Sequence, residues 1–288
     1  MQQGAPQLRP MGLLEIIDQT FRLYRSNFWL FFGIAAVFYI PLAVLQQHGR
    51  EGPIIGGVLG ILAYLLVTGA MTKAVSDRYM GDQATVGGSY LYIGQRFGAL
   101  ILTVILAYLF VAAGLLLLIV GAIIFAFWVA FIMEVFVIEK KPYVEAISRS
   151  KFLIGQGVWA EVLALSFITG ILALLIQGIG SLPLLVAQRV VGEHAPYMWV
   201  LEGVISGIAQ TLALPVTVVG GILLYYDSRI RKEAFDLEVL ARELGKELPP
   251  PSAPSQFQGP LWPSPPAAPS SPSAPGPSAP PEPPEASP

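Results

Sequence analysis

The chain of 288 residues contains no cysteine, only two histidines, and charged side chains at 12% of its residues. Soluble domains carry about twice that share of charge, so a water-facing globule is the wrong class. Without a thiol there is no disulfide, no thiolate metal site and no cysteine nucleophile. A net charge of −2 and a pI near 5.7 offer no basic face for nucleic acid. The phosphate-binding glycine loop, the dinucleotide fingerprint and the GxSxG elbow are missing too. His48 and His194 have no carboxylate neighbours beyond Glu51 and Glu193, which are not at metal-ligand spacing. Neither a metal nor another cofactor is expected on this basis. What the chain does have is apolar length, with 54% of its residues hydrophobic.

A hydrocarbon slab about 30 Å thick needs roughly 20 mainly apolar helical residues to cross it. The stretches 28–46, 54–72, 159–188 and 199–226 each meet or approach that requirement. A fifth run, 97–138, is 42 residues long with Glu134 as its single charge. One helix of that length would reach about 63 Å, twice the slab. The run is therefore predicted to be two spans, folded back between Gly114 and Gly121. Basic residues test that choice. With six spans, fifteen of the 17 Lys and Arg residues fall on one side, and only Arg50 and Arg189 fall on the other. With the long run as one span they would divide 7 to 10. Short cytoplasmic loops carry the Lys/Arg excess, so the fold class expected is all-α integral membrane, six transmembrane helices as three hairpins, with both termini cytoplasmic. No cleavable leader is read, because the first apolar stretch follows an amphipathic segment and is long enough to span.

Three domains of behaviour follow. Residues 1–10 are an N-terminal extension expected to be disordered, and 11–248 form the membrane domain with amphipathic helices at each end. Leu14, Ile17, Phe21, Tyr24 and Phe28 recur at spacings of three and four. Ile230, Ala234, Leu237, Ala241, Leu244 and Leu248 make a second stripe, supported by Asp227–Arg231 and Glu238–Arg242 pairs. Both stripes suit packing on the domain's cytoplasmic face or on lipid headgroups, with a partner's groove as the lesser alternative. Residues 249–288 are a proline-rich tail: seventeen of its 40 residues are Pro, with no Lys or Arg, too little apolar surface to fold. Pro recurs there at nearly every third position from 251 to 284, the turn of polyproline II. That edge could dock a cytoplasmic protein partner with an aromatic groove, while composition alone describes a spacer.

A weaker pattern links the hairpins. A hydroxyl precedes each odd-numbered span by eight positions, in Thr20 and Phe28, Ser89 and Phe97, Ser150 and Val158. An acid followed by a base closes each even-numbered span, in Asp77-Arg78, Glu139-Lys140, and Asp227 with Arg229. Related hairpins would give a pseudo-threefold plan; polar ends common to any hairpin give the same pattern without one. Within the spans, ionisable groups are costly, on the order of 2.5–3.5 kcal/mol at a helix centre. Glu134 is the leading candidate, with Arg78 or Arg229 as its expected partner, in packing or on a substrate or proton path. The candidate buried polar or ion-pair residues are Glu134, Glu139, Asp77, Arg78, Asp227 and Arg229. Gly56 to Gly60 and Gly203 to Gly207 are small-xxx-small spacings that permit close helix contact.

The segments MGLLEIIDQTFRLYRSNFW at 11–29, AISRSKFLIGQG at 146–157 and LYYDSRIRKEAFDLEVLA at 224–241 carry a family likeness. The chain resembles the bacterial glycerophosphoryl diester phosphodiesterase membrane domain family over about residues 11 to 241, mainly through 224–238. That resemblance implies a multi-span helical domain of the bacterial cytoplasmic membrane, sometimes joined to a phosphodiesterase barrel. The barrel's His-Arg start is missing here, so the activity is not implied. The function expected is a non-enzymatic polytopic protein of the bacterial plasma membrane, with membrane lipids as partners, that scaffolds, recruits or handles lipid-like molecules. A small transporter or permease component with Glu134 near its pathway is the alternative, followed by an intramembrane lipid-modifying enzyme.

Overall fold

A computed structural model describes residues 10–49, 51–191 and 197–233, and among these there is helix and no strand. The elements are α1 (Leu13–Ser26), α2 (Phe28–Gln46), α3 (Gly52–Met80), α4 (Val86–Gly94), α5 (Phe97–Gly114), α6 (Leu118–Trp128), the short α7 (Ile132–Glu134), α8 (Tyr143–Val191) and α9 (Met198–Glu233). Five helical stretches are long and apolar enough to cross a membrane: Phe28–Gln46, Gly52–Met80, Phe97–Glu139, Val158–Val190 and Met198–Glu233. The protein is thus an all-α membrane protein. Its exposed surface agrees, since α3, α5, α6 and α8 turn Ile54, Ile61, Leu109, Ile119, Phe167 and Leu174 outward, as a lipid-facing surface requires.

The longest apolar stretch doubles back on itself. Phe110 and Phe125 stack with ring centroids 4.5 Å apart, whereas a continuous helix would separate them by about 22 Å. The turn is a 3₁₀ segment, Leu115–Leu117, followed by Leu118 at φ 65° and ψ −175°. That conformation costs a residue with a Cβ on the order of 1–3 kcal/mol. Gly114 and Gly121 meet across the turn so closely that a Cβ on Gly121 would lie 2.4 Å from the Gly114 carbonyl oxygen.

Helix α9 is the centre of the bundle, buried along most of its length against α2 and α8. Gly203 and Gly207 let α2 approach it: a Cβ at Gly203 would stand 2.3 Å from Val44 Cα, and one at Gly207 2.8 Å from Ile40 Cα. On its other side α2 meets Gly52 and Gly56 of α3, where a Cβ at Gly56 would strike Gln46 Cγ at 2.4 Å. Close approach of this kind substitutes van der Waals contact for the hydrophobic drive that lipid does not supply. Pro215 inside α9 removes an N–H from the ladder, and the Tyr24 hydroxyl donates to the Leu212 carbonyl beside that gap at 3.2 Å.

The lead-in helices depart from the expected pattern in two ways. Helix α1 buries Ile16 and Thr20 against α9, while Leu14 is 78% exposed and Phe21 is also at the surface. The stripe read from spacing is therefore split between protein and the outside, because Thr20 satisfies its own hydroxyl on the Ile16 carbonyl at 2.7 Å and can be buried. The third lead-in does not break before its span: α8 runs without interruption from Tyr143 to Val191. All three hydroxyls of the repeat pattern, Thr20, Ser89 and Ser150, are buried. The second stripe's later residues, the Glu238–Arg242 pair, His194, and the segments 1–9 and 249–288 lie outside the described residues.

Candidate functional site

The segment Leu224 to Glu233 fastens the end of α9 to four other parts of the chain. Tyr225 donates its hydroxyl to Glu139 at 2.8 Å, and the Tyr226 hydroxyl shares a 2.7 Å hydrogen bond with Ser76. Asp227, fully buried, accepts from the Met11 N–H at 2.7 Å and pairs with Arg231 at 2.8 Å. Ser228 donates to the Leu153 carbonyl at 2.7 Å, and Lys232 to that of Phe152 at 2.7 Å. Glu233 pairs with Arg149 and Arg229. These side chains reach the N-terminal segment, α3, the turn at Glu139 and α8, so the motif acts as a structural hub.

The candidate polar residues divide between this hub and a separate interior site. Glu139 meets Arg149 at 2.6 Å, Lys141 at 3.2 Å and Arg229 at 3.9 Å. Burial alone would lower the Arg149 pKa, yet its hydrogen bonds to Glu233 and Glu139 hold it above the ordinary guanidinium value. Asp77 pairs with Lys73 one turn earlier on α3. Arg78 donates to the Gln83 side chain and the Ala84 carbonyl, each at 3.2 Å, closing the loop after Gly81. Glu134 therefore pairs with neither Arg78 nor Arg229, contrary to the expectation from sidedness, and among the described residues it forms no ion pair.

Glu134 instead faces a cavity of about 400 Å³ between α3, α5, α6, α8 and α9. The residue is 8% exposed, and its Oε2 is buried with no hydrogen-bond partner. Gly221 makes room for it, since a Cβ there would lie 3.1 Å from Oε1. Two more buried oxygens in the same wall lack partners, the Thr68 and Thr72 hydroxyls. Tyr64 lies one turn before Thr68, with its hydroxyl beside that of Thr68 but outside hydrogen-bonding geometry. The remaining wall is mostly aliphatic and includes the small residues Ala107, Ala126 and Ala130, which leave the space open.

The backbone around Glu134 is irregular. Helix α6 ends at Trp128, and the N–H groups of Val129, Ala130 and Ile132 reach back three residues instead of four. The Phe131 N–H is taken by Ser150 Oγ of α8 at 3.1 Å. A π-helical turn, Val135–Glu139, follows directly. Irregular backbone at membrane depth persists where protein or a cavity covers it, and π turns recur at functional sites.

Two further cavities of about 390 Å³ each adjoin α3. One is lined by Gly57, Gly60 and Tyr64 and shares Tyr64, Leu65, Val104 and Tyr108 with the first; the other is lined by Lys73, Ser76, Asp77 and Met80. From Gly57 to Met80 the helix advances about 35 Å. Sequence reasoning found Glu134 but missed Thr68, Thr72, Gly221 and Arg149. One signal was available: Tyr64, Thr68, Thr72 and Ser76 place a hydroxyl at every fourth position of α3, the first three of them within its apolar part before Lys73. No family model, no curated protein and no solved structure matches the chain.

Proposed function

We propose that this is a non-enzymatic protein of the bacterial plasma membrane, crossing it six times with both termini cytoplasmic, that takes a lipid-like molecule into the cavity beside Glu134. The observation that carries the reading is an intramembrane cavity with mostly apolar walls and three unpartnered oxygens, from Glu134, Thr68 and Thr72. Ligand sites combine an apolar lining with a few placed polar groups in about 300–1,000 Å³. Kinship with the phosphodiesterase membrane domain family, suggested by residues 224–238, is part of the same proposal, and the hub made by Tyr225 to Glu233 gives that segment a role in holding the domain together. Cross-linking with a photoactivatable alkyl lipid in native membranes tests the uptake. Adducts on peptides spanning Tyr64 to Thr72 and Ala126 to Glu134, lost in Ala107→Phe, are expected. Adducts confined to the outer residues Leu115 to Val120 would defeat the reading.

A second reading, a small transporter, is favoured by the row of cavities along α3. Under it, Glu134→Leu abolishes uptake in vesicles without changing protein abundance.

A further inference from the structure

Buried threonines in helices usually satisfy their hydroxyls on the carbonyl four residues earlier. Thr20, Thr103, Thr169 and Thr211 do so here, with distances of 2.7, 2.7, 2.8 and 2.7 Å. Thr68 and Thr72 do not, although Thr68 is 8% and Thr72 1% exposed. Their hydroxyls, one turn apart on α3, line the cavity that holds the unpaired carboxyl of Glu134. An unsatisfied buried hydroxyl costs about 1–3 kcal/mol, and a carboxyl in a span costs more. Three such groups line the same cavity.

The chemistry of the missing partner can be read from the wall. Among the described residues no Lys, Arg or His lines this cavity, so a phosphate or carboxylate head would meet Glu134 with no cation from them to offset it. The neighbouring cavity toward Glu139 differs, with Lys73, Lys140 and Arg229 in its wall. A primary ammonium carries one positive charge and three N–H donors, and the unpartnered oxygens in the lining are one from Glu134 and the hydroxyls of Thr68 and Thr72, with the Tyr64 hydroxyl beside Thr68. Residues four apart on a helix have Cβ atoms about 5–6 Å apart, so a nitrogen between Thr68 and Thr72 can reach both. Tyr64 and Tyr108 also line the cavity, and its aliphatic remainder accepts a chain.

We propose that the cavity binds an amphiphile whose charged group is a primary ammonium, held by Glu134, Thr68 and Thr72. The inference rests on the lipid-uptake reading and specifies its headgroup.

The test is native mass spectrometry of the full chain in a non-ionic detergent, titrated with dodecylamine, dodecanol, dodecanoate and butylamine. A charge-assisted hydrogen bond predicts that dodecylamine binds at least ~10-fold tighter than dodecanol. Glu134→Gln, which keeps the side chain's shape, brings dodecylamine down to the level of dodecanol and leaves dodecanol unchanged, which also shows that the variant is folded. Thr68→Val and Thr72→Val each weaken dodecylamine several-fold and spare dodecanol. Equal binding of dodecylamine and dodecanol to the wild type, tighter binding of dodecanoate, or an unaltered preference in Glu134→Gln overturns the headgroup assignment while the uptake of apolar chains stands. Butylamine binding as tightly as dodecylamine overturns the amphiphile and leaves a small-amine site. Failure of all four probes removes the headgroup assignment together with the uptake reading.

Discussion

Replacing Gly203 by alanine adds one methyl group where α2 and α9 cross, and the geometry gives the sign of its effect. The new Cβ would lie 2.3 Å from Val44 Cα and 2.7 Å from Val44 N. Carbon atoms rest at about 3.5–4.0 Å, so the helices must part by roughly 1.2–1.7 Å. Both close neighbours are backbone atoms, which cannot swing away as a side chain can. Overpacking of this kind costs about 1–3 kcal/mol, and alanine returns up to about 1 kcal/mol of helix propensity. The net expectation is a loss of about 1–2 kcal/mol, or about 2–8 °C in Tm for a domain of this size. Gly178, on the exposed face of α8, has nothing within 4 Å of its ideal Cβ. Gly178→Ala should therefore be neutral or stabilising by up to ~1 kcal/mol. Gly207→Ala meets Ile40 Cα at 2.8 Å, and once Gly203→Ala has opened the crossing it should cost less than it does alone. The assay is thermal unfolding of detergent-purified protein, followed by tryptophan fluorescence. If Gly203→Ala and Gly178→Ala shift Tm in the same upward direction, the tight α2–α9 crossing is wrong.

Two further outcomes are expected. Arg149→Gln removes the Arg149 contacts to Glu139 and Glu233 and leaves them Lys141 and Arg229, so it should lower stability by about 1–2 kcal/mol, below the 3–5 kcal/mol of a fully buried pair left without a partner; no fall in Tm would mean that this fork is solvated. Single cysteines in this Cys-free chain report sidedness: position 50 should react with an impermeant maleimide in intact cells and position 140 should not, and labelling at 140 would overturn the cytoplasmic assignment.

The helical membrane class and the doubling back of the longest run were legible because they follow from apolar length. The run 97–138 is too long for one crossing, and the reversal falls at Gly114 and Gly121 because only glycine lets the two arms touch there. Gly203 and Gly207 were legible for the same reason. The azimuth of each helix was not. Glu134 and Arg229 both lie toward one end of their spans, yet Arg229 meets Glu139 and Glu233 while Glu134 turns to the cavity, a difference of helix rotation that sidedness cannot encode. The burial of Thr20 in place of Leu14 depends on a hydroxyl finding its own backbone, which spacing does not reveal. Thr68 and Thr72 were hidden for the converse reason, since a threonine in an apolar helix is ordinary unless its usual hydrogen bond is missing.

The hub at the end of α9 also has a meaning in time. Its Asp227 takes the Met11 N–H, and its Arg231 donates to the Met11 carbonyl, at separations of 216 and 220 residues. At ~5–20 residues per second, ribosomal synthesis leaves Met11 waiting ~10–45 s for those partners. During that interval Glu139 and Arg149 have each other but lack Tyr225 and Glu233, and α2 has no Gly203 face to settle on. Nascent chains that stop before Leu224 would lack the side chains that hold Met11, Ser76 and Glu139 to the end of α9.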